Sequence, residues 1–208
     1  SMIELIIENK ELLKFIYTFA IALICAVIVV KTDRLFHLSL HQGIRYLRNA
    51  FFFFGFGFIL RSLLVFNSFP IVLLKVIFEF FIIMAGFFLL YSLLWKRLES
   101  QSKNYTSSLL NPKIFLFYSM ALIIALVDSL LGTYLFMFLS QIIIFAFASV
   151  ISFRNYSTHG KEHKFLKSYF IAMLLSFVAW SVNTFAALYL WRLRFVTSVY
   201  IINIVIFL

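Results

Sequence analysis

Long runs of apolar residues alternate with short polar connections along the whole chain. A helix needs roughly 20 residues to cross a hydrocarbon core about 30 Å thick, and seven runs reach or approach that length. They cover residues 12–30, 50–66, 71–95, 114–131, 134–153, 168–190 and 195–208. The runs are continuously apolar, whereas a membrane β-barrel shows alternating segments of about ten residues. The pattern predicts an all-α polytopic membrane protein, with seven transmembrane helices in a single domain over residues 1–208.

The connections between these runs differ in charge. Residues 67–70 and 132–133 contain no Lys or Arg, although Arg192 and Arg194 lie in the last connection on the same side. The connections 31–48, 96–113 and 154–167 together hold twelve of the 18 basic residues. Cytoplasmic loops of membrane proteins are rich in Lys and Arg. We therefore predict that these three connections lie inside, which puts the N-terminus outside and the C-terminus inside.

The seventh segment is shorter than the others. Residues 195–208 would form about 21 Å of helix, which is too short to cross the hydrocarbon core alone. One explanation is that the helix begins near Leu190, with Arg192 and Arg194 reaching outward to the interface. The other is that the natural chain continues beyond Leu208. The second explanation is the one we favour.

The composition agrees with a membrane protein and excludes several other classes. Of the 208 residues, 64% are apolar and only 12% are charged, against about 45–50% and about 25% in soluble domains. The mean hydropathy is +1.04, and a single cysteine, Cys25, excludes a disulfide scaffold. The net charge of +10 lies mainly in the connections. It predicts contact with anionic lipid headgroups at the inner face of a plasma membrane, and no binding of nucleic acid.

A weak internal repeat relates the two halves of the chain. Arg45–Asn49 followed by Phe51 is similar to Lys164–Ser168 followed by Phe170, and a pair of histidines precedes each stretch. If the repeat holds, segments 1–3 and 5–7 are parallel copies joined by segment 4. This 3+1+3 layout resembles the sugar-transporting SWEET proteins and, more loosely, the microbial rhodopsins, in topology alone. Neither half has the Pro-Gln pair of the former, and the seventh segment has no lysine for the retinal of the latter.

Polar residues inside the apolar segments are the first candidate site. The ionisable ones are Arg61, Lys75, Glu79 and Asp128, and the amides are Gln141, Asn183 and Asn203. All are predicted in the outer half or near the midplane. Because a charge inside a bilayer costs a few kcal/mol or more, such residues pair or face a cavity.

Two interpretations of these residues are open. In one, a Lys75–Glu79 pair one turn apart and an Arg61–Asp128 pair between helices form a structural network. In the other, the residues line an outward-facing pocket for a small solute, an ion or a lipid headgroup. Glu79 is the deepest of the charges, and a carboxylate at that depth could also titrate.

The histidines are the second candidate site. All four occur in His-x-x-x-His pairs, His37 with His41 and His159 with His163. On a helix this spacing puts both imidazoles on one face, as metal ligands require. Two such pairs in equivalent connections could converge on one metal ion. Alternatively, they are ordinary interfacial residues among Lys and Arg, and Gly160 interrupts any helix through the second pair.

The remaining motifs do not point to catalysis. The sequence has no nucleophile elbow, no Walker loop and no HExxH motif, so we expect that the protein is not an enzyme. The favoured function is a receptor-like sensor that binds a small ligand or lipid in the outer pocket and signals to a cytoplasmic partner or domain. A small-solute or ion transporter is the alternative, although no interrupted helix is visible near the midplane. A non-catalytic structural subunit of a membrane complex is the second alternative.

The charge pattern makes a direct prediction about topology. In a Cys25→Ser background, single cysteines at Asn104 and Ser68 are expected to react with a membrane-impermeant thiol reagent from opposite sides of the membrane. Accessibility in sealed vesicles and after permeabilisation measures this. Labelling of both positions from the same side would overturn the predicted orientation.

Overall fold

The structure, a computed structural model, describes residues 2–39, 42–63, 71–99, 109–159 and 165–189. In these ranges the chain forms one short helix and six long ones. They are α1 (Met2–Glu8), α2 (Lys10–Ser39), α3 (Gln42–Leu63), α4 (Ile71–Glu99), α5 (Pro112–Leu131), α6 (Leu135–His159) and α7 (Phe165–Tyr189). The predicted all-α class is confirmed.

Five of the long helices are long and apolar enough to cross a membrane. Their apolar stretches are Phe15–Arg34, Val72–Leu94, Pro112–Leu131, Leu135–His159 and Leu166–Phe185. The protein is therefore an α-helical integral membrane protein. Helix α3 covers most of the predicted segment 50–66 but carries three arginines and is not among the five. The predicted segment 195–208 lies outside the described residues, so the count of seven transmembrane helices stays a prediction.

The helices extend beyond the apolar runs that predicted them. Helix α2 continues to Ser39 and α3 begins at Gln42, although residues 31–48 are predicted to be a connection. The two extensions are joined by a hydrogen-bonded ion pair, in which Arg48 Nη1 lies 2.6 Å from Asp33 Oδ1. The predicted bounds were wrong here because an apolar run marks the hydrocarbon core, whereas helical hydrogen bonds continue through charged residues of good helix propensity.

Helix α4 is the central helix of the described bundle. It packs against α3, α5 and α6, while α2 packs against α3 and α7 against α6. All residues from Ile82 to Leu89 of α4 are buried. Aromatic pairs fill much of its contact with α3, where the ring of Phe53 lies 5.0 Å from the rings of both Phe81 and Phe88. Such pairs add about 0.5–1.5 kcal/mol each to the burial of their apolar surface.

The two ends of the bundle are chemically different. We call the end where α5 passes into α6 the turn end, and the opposite end, where α2 ends and α3 begins, the basic end. At the basic end the Tyr46 ring of α3 lies 4.4 Å from the Tyr91 ring of α4, and Asn111 Nδ2 donates to the Tyr91 hydroxyl at 3.3 Å. Asn111 also caps α5, because its Oδ1 accepts the main-chain N–H of Lys113 at 3.1 Å. Helices α3, α4 and α5 are thus joined at this end.

Close approach of α2 and α3 depends on a glycine, which gives a prediction about stability. A Cβ at Gly55 would lie 2.9 Å from Cys25 Cβ, whereas the nearest atom to a Cβ at Gly57 would be the end of the Ile82 side chain at 3.1 Å. We expect Gly55→Ala to lower the free energy of unfolding by about 1–3 kcal/mol, because the helices must separate. The matched control Gly57→Ala is expected to cost less. Thermal unfolding in detergent measures both, and equal melting temperatures would contradict the close approach.

Candidate functional site

The turn between α5 and α6 is the local structure on which the site is built. Gly132 ends α5 with φ 64°, in the left-handed region, where a side chain would be strained. Its N–H donates to the carbonyl of Ser129 at 3.3 Å, and the N–H of Thr133 donates to the carbonyl of Asp128 at 3.0 Å. The tight turn predicted at residues 132–133 is confirmed, and it brings the end of α5 against the start of α6.

The carboxylate of Asp128 caps the start of α6. Its Oδ1 accepts the main-chain N–H of Phe136 at 3.0 Å, and its Oδ2 accepts that of Met137 at 2.8 Å. The Thr133 hydroxyl accepts the N–H of Leu135 at 3.1 Å. Three N–H groups that a helix start leaves unsatisfied thus find partners, and a negative charge lies at the positive end of the helix dipole. Asp128 is completely buried in this position.

Lys75 connects α4 to the same turn. Its Nζ donates to the carbonyl of Thr133 at 2.9 Å and to that of Asp128 at 3.4 Å. The ammonium also lies 4.5 Å from the centre of the Tyr134 ring, within the range of a cation–π contact. A cation at the carbonyl end of α5 is favoured by that helix dipole. Lys75 therefore holds α4 against the point where α5 and α6 meet.

Glu79 lies one turn further along α4 and is completely buried. Neither of its carboxyl oxygens has a hydrogen-bond partner among the described residues. The carboxyl group interacts electrostatically with Asp128 and with Lys75. The predicted hydrogen-bonded pair of Lys75 with Glu79 is not formed, because carbonyl groups of the turn accept the Lys75 N–H groups instead. We call Lys75, Glu79 and Asp128 the charged cluster.

Gln141 lies deeper in the bundle than the charged cluster. Its Nε2 donates to the carbonyl of Ile82 at 3.0 Å, which joins α6 to α4. The amide packs on Gly86, where an added Cβ would lie 3.0 Å from Gln141 Oε1. That oxygen is buried and has no hydrogen-bond partner in the described part of the chain.

The other predicted pocket residues are more scattered. Arg61 is on α3, with its guanidinium carbon 5.5 Å from the centre of the Phe78 ring at the turn end. Asn183 is half-buried on α7, and Asn203 lies outside the described residues. The structure thus brings Lys75, Glu79 and Asp128 together. A common pocket of all seven residues, and the predicted pairing of Arg61 with Asp128, stay predictions.

The histidines are placed only in part. His37 is 70% exposed at its side chain, and its Nε2 lies 3.5 Å from Asp33 Oδ2. His159 is exposed at the end of α6, while His41 and His163 lie outside the described residues. Among the residues that are described, no group of three or more His, Cys, Asp or Glu side chains could hold a metal ion. The four-histidine metal site stays a prediction.

An apolar groove lies between α4 and α5. It is lined by Val76, Ile77, Phe80, Phe115, Tyr118, Ser119 and Leu122. Successive helical residues are turned by about 100°, so Val76 and Phe80 lie on a different face of α4 from Lys75 and Glu79. The groove therefore opens away from the charged cluster and is distinct from the polar pocket that the sequence predicts.

Main-chain partners are what reasoning from the sequence missed at this site. The structural interpretation of these residues pairs side chains only, Lys75 with Glu79 and Arg61 with Asp128. The sequence does not predict that Lys75 donates to carbonyls of the turn or that Asp128 accepts N–H groups of α6. The Gly132-Thr133 turn was the available signal, since the end of one helix and the start of the next expose unpaired carbonyl and N–H groups. The sequence does not predict the Asp33–Arg48 pair, because both residues lie in the predicted connection 31–48 and not in a helix.

Comparison of the chain with models of protein families, with characterised proteins and with solved structures gives no match. The fold and the site define a class, namely an α-helical integral membrane protein with a charged cluster buried at one end of its bundle.

The role of Lys75 can be tested by truncation. Lys75→Met removes the donor to two carbonyl groups and the positive charge beside Asp128, so we expect a loss of about 1–3 kcal/mol in the free energy of unfolding. Lys167→Met, at an exposed position of α7, is the matched control and is expected to change it by less than about 0.5 kcal/mol. Unfolding in detergent measures both. Equal stability of the two variants would contradict the contacts of Lys75 with the turn.

Proposed function

We propose that this protein is a membrane sensor domain in which the charged cluster receives the signal and α4 conveys it to the basic end. The observation that supports the proposal most strongly is the position of the cluster. Lys75 fastens α4 to the turn, and Asp128 holds the turn to α6. Any change in the charge of the cluster acts directly on the contacts that join three helices.

Helix α4 reaches both ends of the bundle. It carries Lys75 and Glu79 at the turn end, and at the basic end it carries Tyr91, packed on Tyr46 of α3, and Ser92. The Ser92 hydroxyl lies 3.4 Å from the hydroxyl of Tyr169 on α7. A displacement of α4 at the turn end would therefore change contacts with α3 and α7 at the other. Helix shifts of about 1–2 Å are typical of such switching transitions.

The distribution of basic residues supports a direction for this signal. On the positive-inside rule the turn end faces outside and the basic end faces the cytoplasm of a plasma membrane. A small solute or a lipid headgroup would reach the turn from the outer aqueous side. At the inner side the basic residues would contact anionic headgroups, and a cytoplasmic partner or domain would receive the response. No step of this proposal requires a catalytic residue.

A transporter is a second candidate, and one observation favours it. Glu79 at the turn end and Gln141 deeper in the bundle are both completely buried. Both have oxygens without a hydrogen-bond partner in the described residues. Polar groups at such depths in membrane proteins often mark paths for ions or protons. The continuity of α4, α5 and α6 favours the sensor, because many transporters have interrupted helices near the midplane.

Distances at the basic end test the sensor proposal. Spin labels replace Arg34 on α2 and Thr158 on α6, both exposed, in a Cys25→Ser background. We expect Asp128→Asn to shift the distance between the labels by about 2 Å, because the cluster loses its buried negative charge. Gly55→Ala is the control, since it weakens the packing of α2 on α3 and leaves the cluster intact. Pulsed electron spin resonance in lipid nanodiscs measures the distance.

Four outcomes separate the candidate functions. A shift of the distance in Asp128→Asn alone supports the sensor. An equal shift in both variants would indicate that the helix packing is loosened in general. Unchanged distances in both variants would contradict the sensor and favour a structural subunit. Proton flux through proteoliposomes, measured with an internal pH dye and abolished in Glu79→Gln, would favour the transporter.

A further inference from the structure

The three members of the charged cluster differ in how their charges are satisfied. The Asp128 carboxylate accepts two main-chain N–H groups, at 3.0 Å and 2.8 Å, so that each of its oxygens has a partner. The Lys75 ammonium donates to two carbonyl groups. These two residues form a neutral pair, each satisfied largely by the main chain. Glu79 is the third member of the cluster, and its carboxyl group has no such main-chain partner in the described residues.

None of the residues that the structure describes gives Glu79 a donor that would stabilise a negative charge. Glu79 is 0% exposed, and none of the described residues donates a hydrogen bond to either carboxyl oxygen. An unpaired ion buried in the membrane interior costs several kcal/mol, and such a group escapes this cost by becoming neutral. A protonated carboxyl is itself a donor, and the Asp128 carboxylate is near enough to interact with it.

We propose that Glu79 and Asp128 hold one proton between them, so that the charged cluster is a binding site for a single proton. In the bound state Glu79 donates its O–H to the Asp128 carboxylate, and the charges of Lys75 and Asp128 cancel. Release breaks the O–H bond of Glu79, transfers the proton to water and leaves the cluster with one extra negative charge. That the proton is the signal of the sensor rests on the proposed function. That the cluster binds a proton does not depend on that function.

The groups around Glu79 support a proton rather than a larger species. Within the described part of the chain, the charged groups that act on it are Lys75 on α4 and Asp128 on α5. From α6 the uncharged Gln141 lies deeper, with its Nε2 occupied by the carbonyl of Ile82. From α3 the guanidinium of Arg61 lies over the ring of Phe78.

Size and coordination also distinguish the proton from other ligands. A hard metal cation takes about six or more oxygen ligands, whereas the two carboxyl groups of the cluster offer four oxygens, and each Asp128 oxygen keeps only one lone pair beyond its N–H partner. Because Glu79 is completely buried, a solute larger than water reaches it only if the turn moves. A proton needs one acceptor and can arrive through a single water.

Release of the proton has a structural consequence at the turn. An ionised Glu79 would compete with the carbonyls of Thr133 and Asp128 for the Lys75 ammonium, since Lys75 lies one turn away on the same face of α4. Movement of the ammonium towards Glu79 would remove its hydrogen bond to Thr133, which is now 2.9 Å long. The turn would then be less firmly attached to α4. A change in proton occupancy would therefore alter the attachment of the turn to α4.

Infrared spectroscopy of the whole chain in lipid nanodiscs tests the proposal. At neutral pH we expect the C=O stretch of one protonated carboxyl group, lost in Glu79→Gln and retained in Glu8→Gln, an exposed carboxyl on α1. In Asp128→Asn the band should shift or disappear, because the acceptor of the O–H bond changes. A wild-type spectrum without the band, or a band unchanged in Glu79→Gln, would overturn the proposal. A band unchanged in Asp128→Asn would remove Asp128 as the partner.

Melting temperatures give a second, independent readout. Gln has the shape of a protonated Glu and can donate to Asp128 in the same way, so we expect Glu79→Gln to melt within about 2 °C of wild type. Asp128→Asn should melt clearly lower, because it replaces one of the two carboxylate oxygens that accept the α6 N–H groups with an NH₂ group, which cannot accept. A much lower melting temperature of Glu79→Gln would instead indicate that Glu79 is ionised, and would contradict the proposed proton site.

Two further results distinguish the alternatives. If sodium chloride, but not potassium chloride, raises the melting temperature of wild type and not of Glu79→Gln, and no protonated carboxyl is seen, the cluster binds a metal cation and the proposal is wrong. If the band is present while the distances at the basic end do not respond, the proton site stands and the sensor function fails.

Discussion

The contact of the Asp128 carboxylate with the first N–H groups of α6 is the interaction on which the turn end depends. It satisfies two donors that would otherwise be exposed to hydrocarbon, where an unsatisfied polar group costs several kcal/mol. The turn that it holds in place also explains the position of Lys75, whose ammonium donates to the carbonyls of Asp128 and Thr133. The carbonyl end of α5 favours a cation at this point.

Main-chain groups at helix ends thus do much of the work that the sequence assigns to pairs of charged side chains. A helix end in the membrane exposes several unpaired carbonyl or N–H groups, and a tight turn concentrates two such ends in one place. Lys75 and Asp128 are satisfied there without Glu79. Glu79 is consequently a buried acid that the local structure does not require, which makes its presence informative about function.

The sequence predicted the parts of the fold that depend on hydrophobicity alone. The all-α class and the six long helices α2 to α7 follow from apolar runs about 20 residues long, and the turn at residues 132–133 follows from the short break between two of them. The short helix α1 was not predicted. The helix ends near Ser39 and Gln42 could not be predicted in that way, because helix continues after the apolar run stops. The nearness of Lys75, Glu79 and Asp128 was predictable from their similar depth, but their partners were not. The Gly132-Thr133 turn indicates where unpaired carbonyl and N–H groups lie, but the sequence does not tell which side chains reach them.

The depth of the cluster decides what a change in its charge can do. A charge near the midplane of a continuous helix would act on side chains alone. At the turn end, the carbonyls that accept the Lys75 ammonium belong to the segment that joins α5 to α6. On the proposed mechanism, an ionised Glu79 would compete with them and weaken the attachment of the α5–α6 hairpin to α4. Because α4 continues to Tyr91 and Ser92 at the other end, the same helix would carry that change to the basic end.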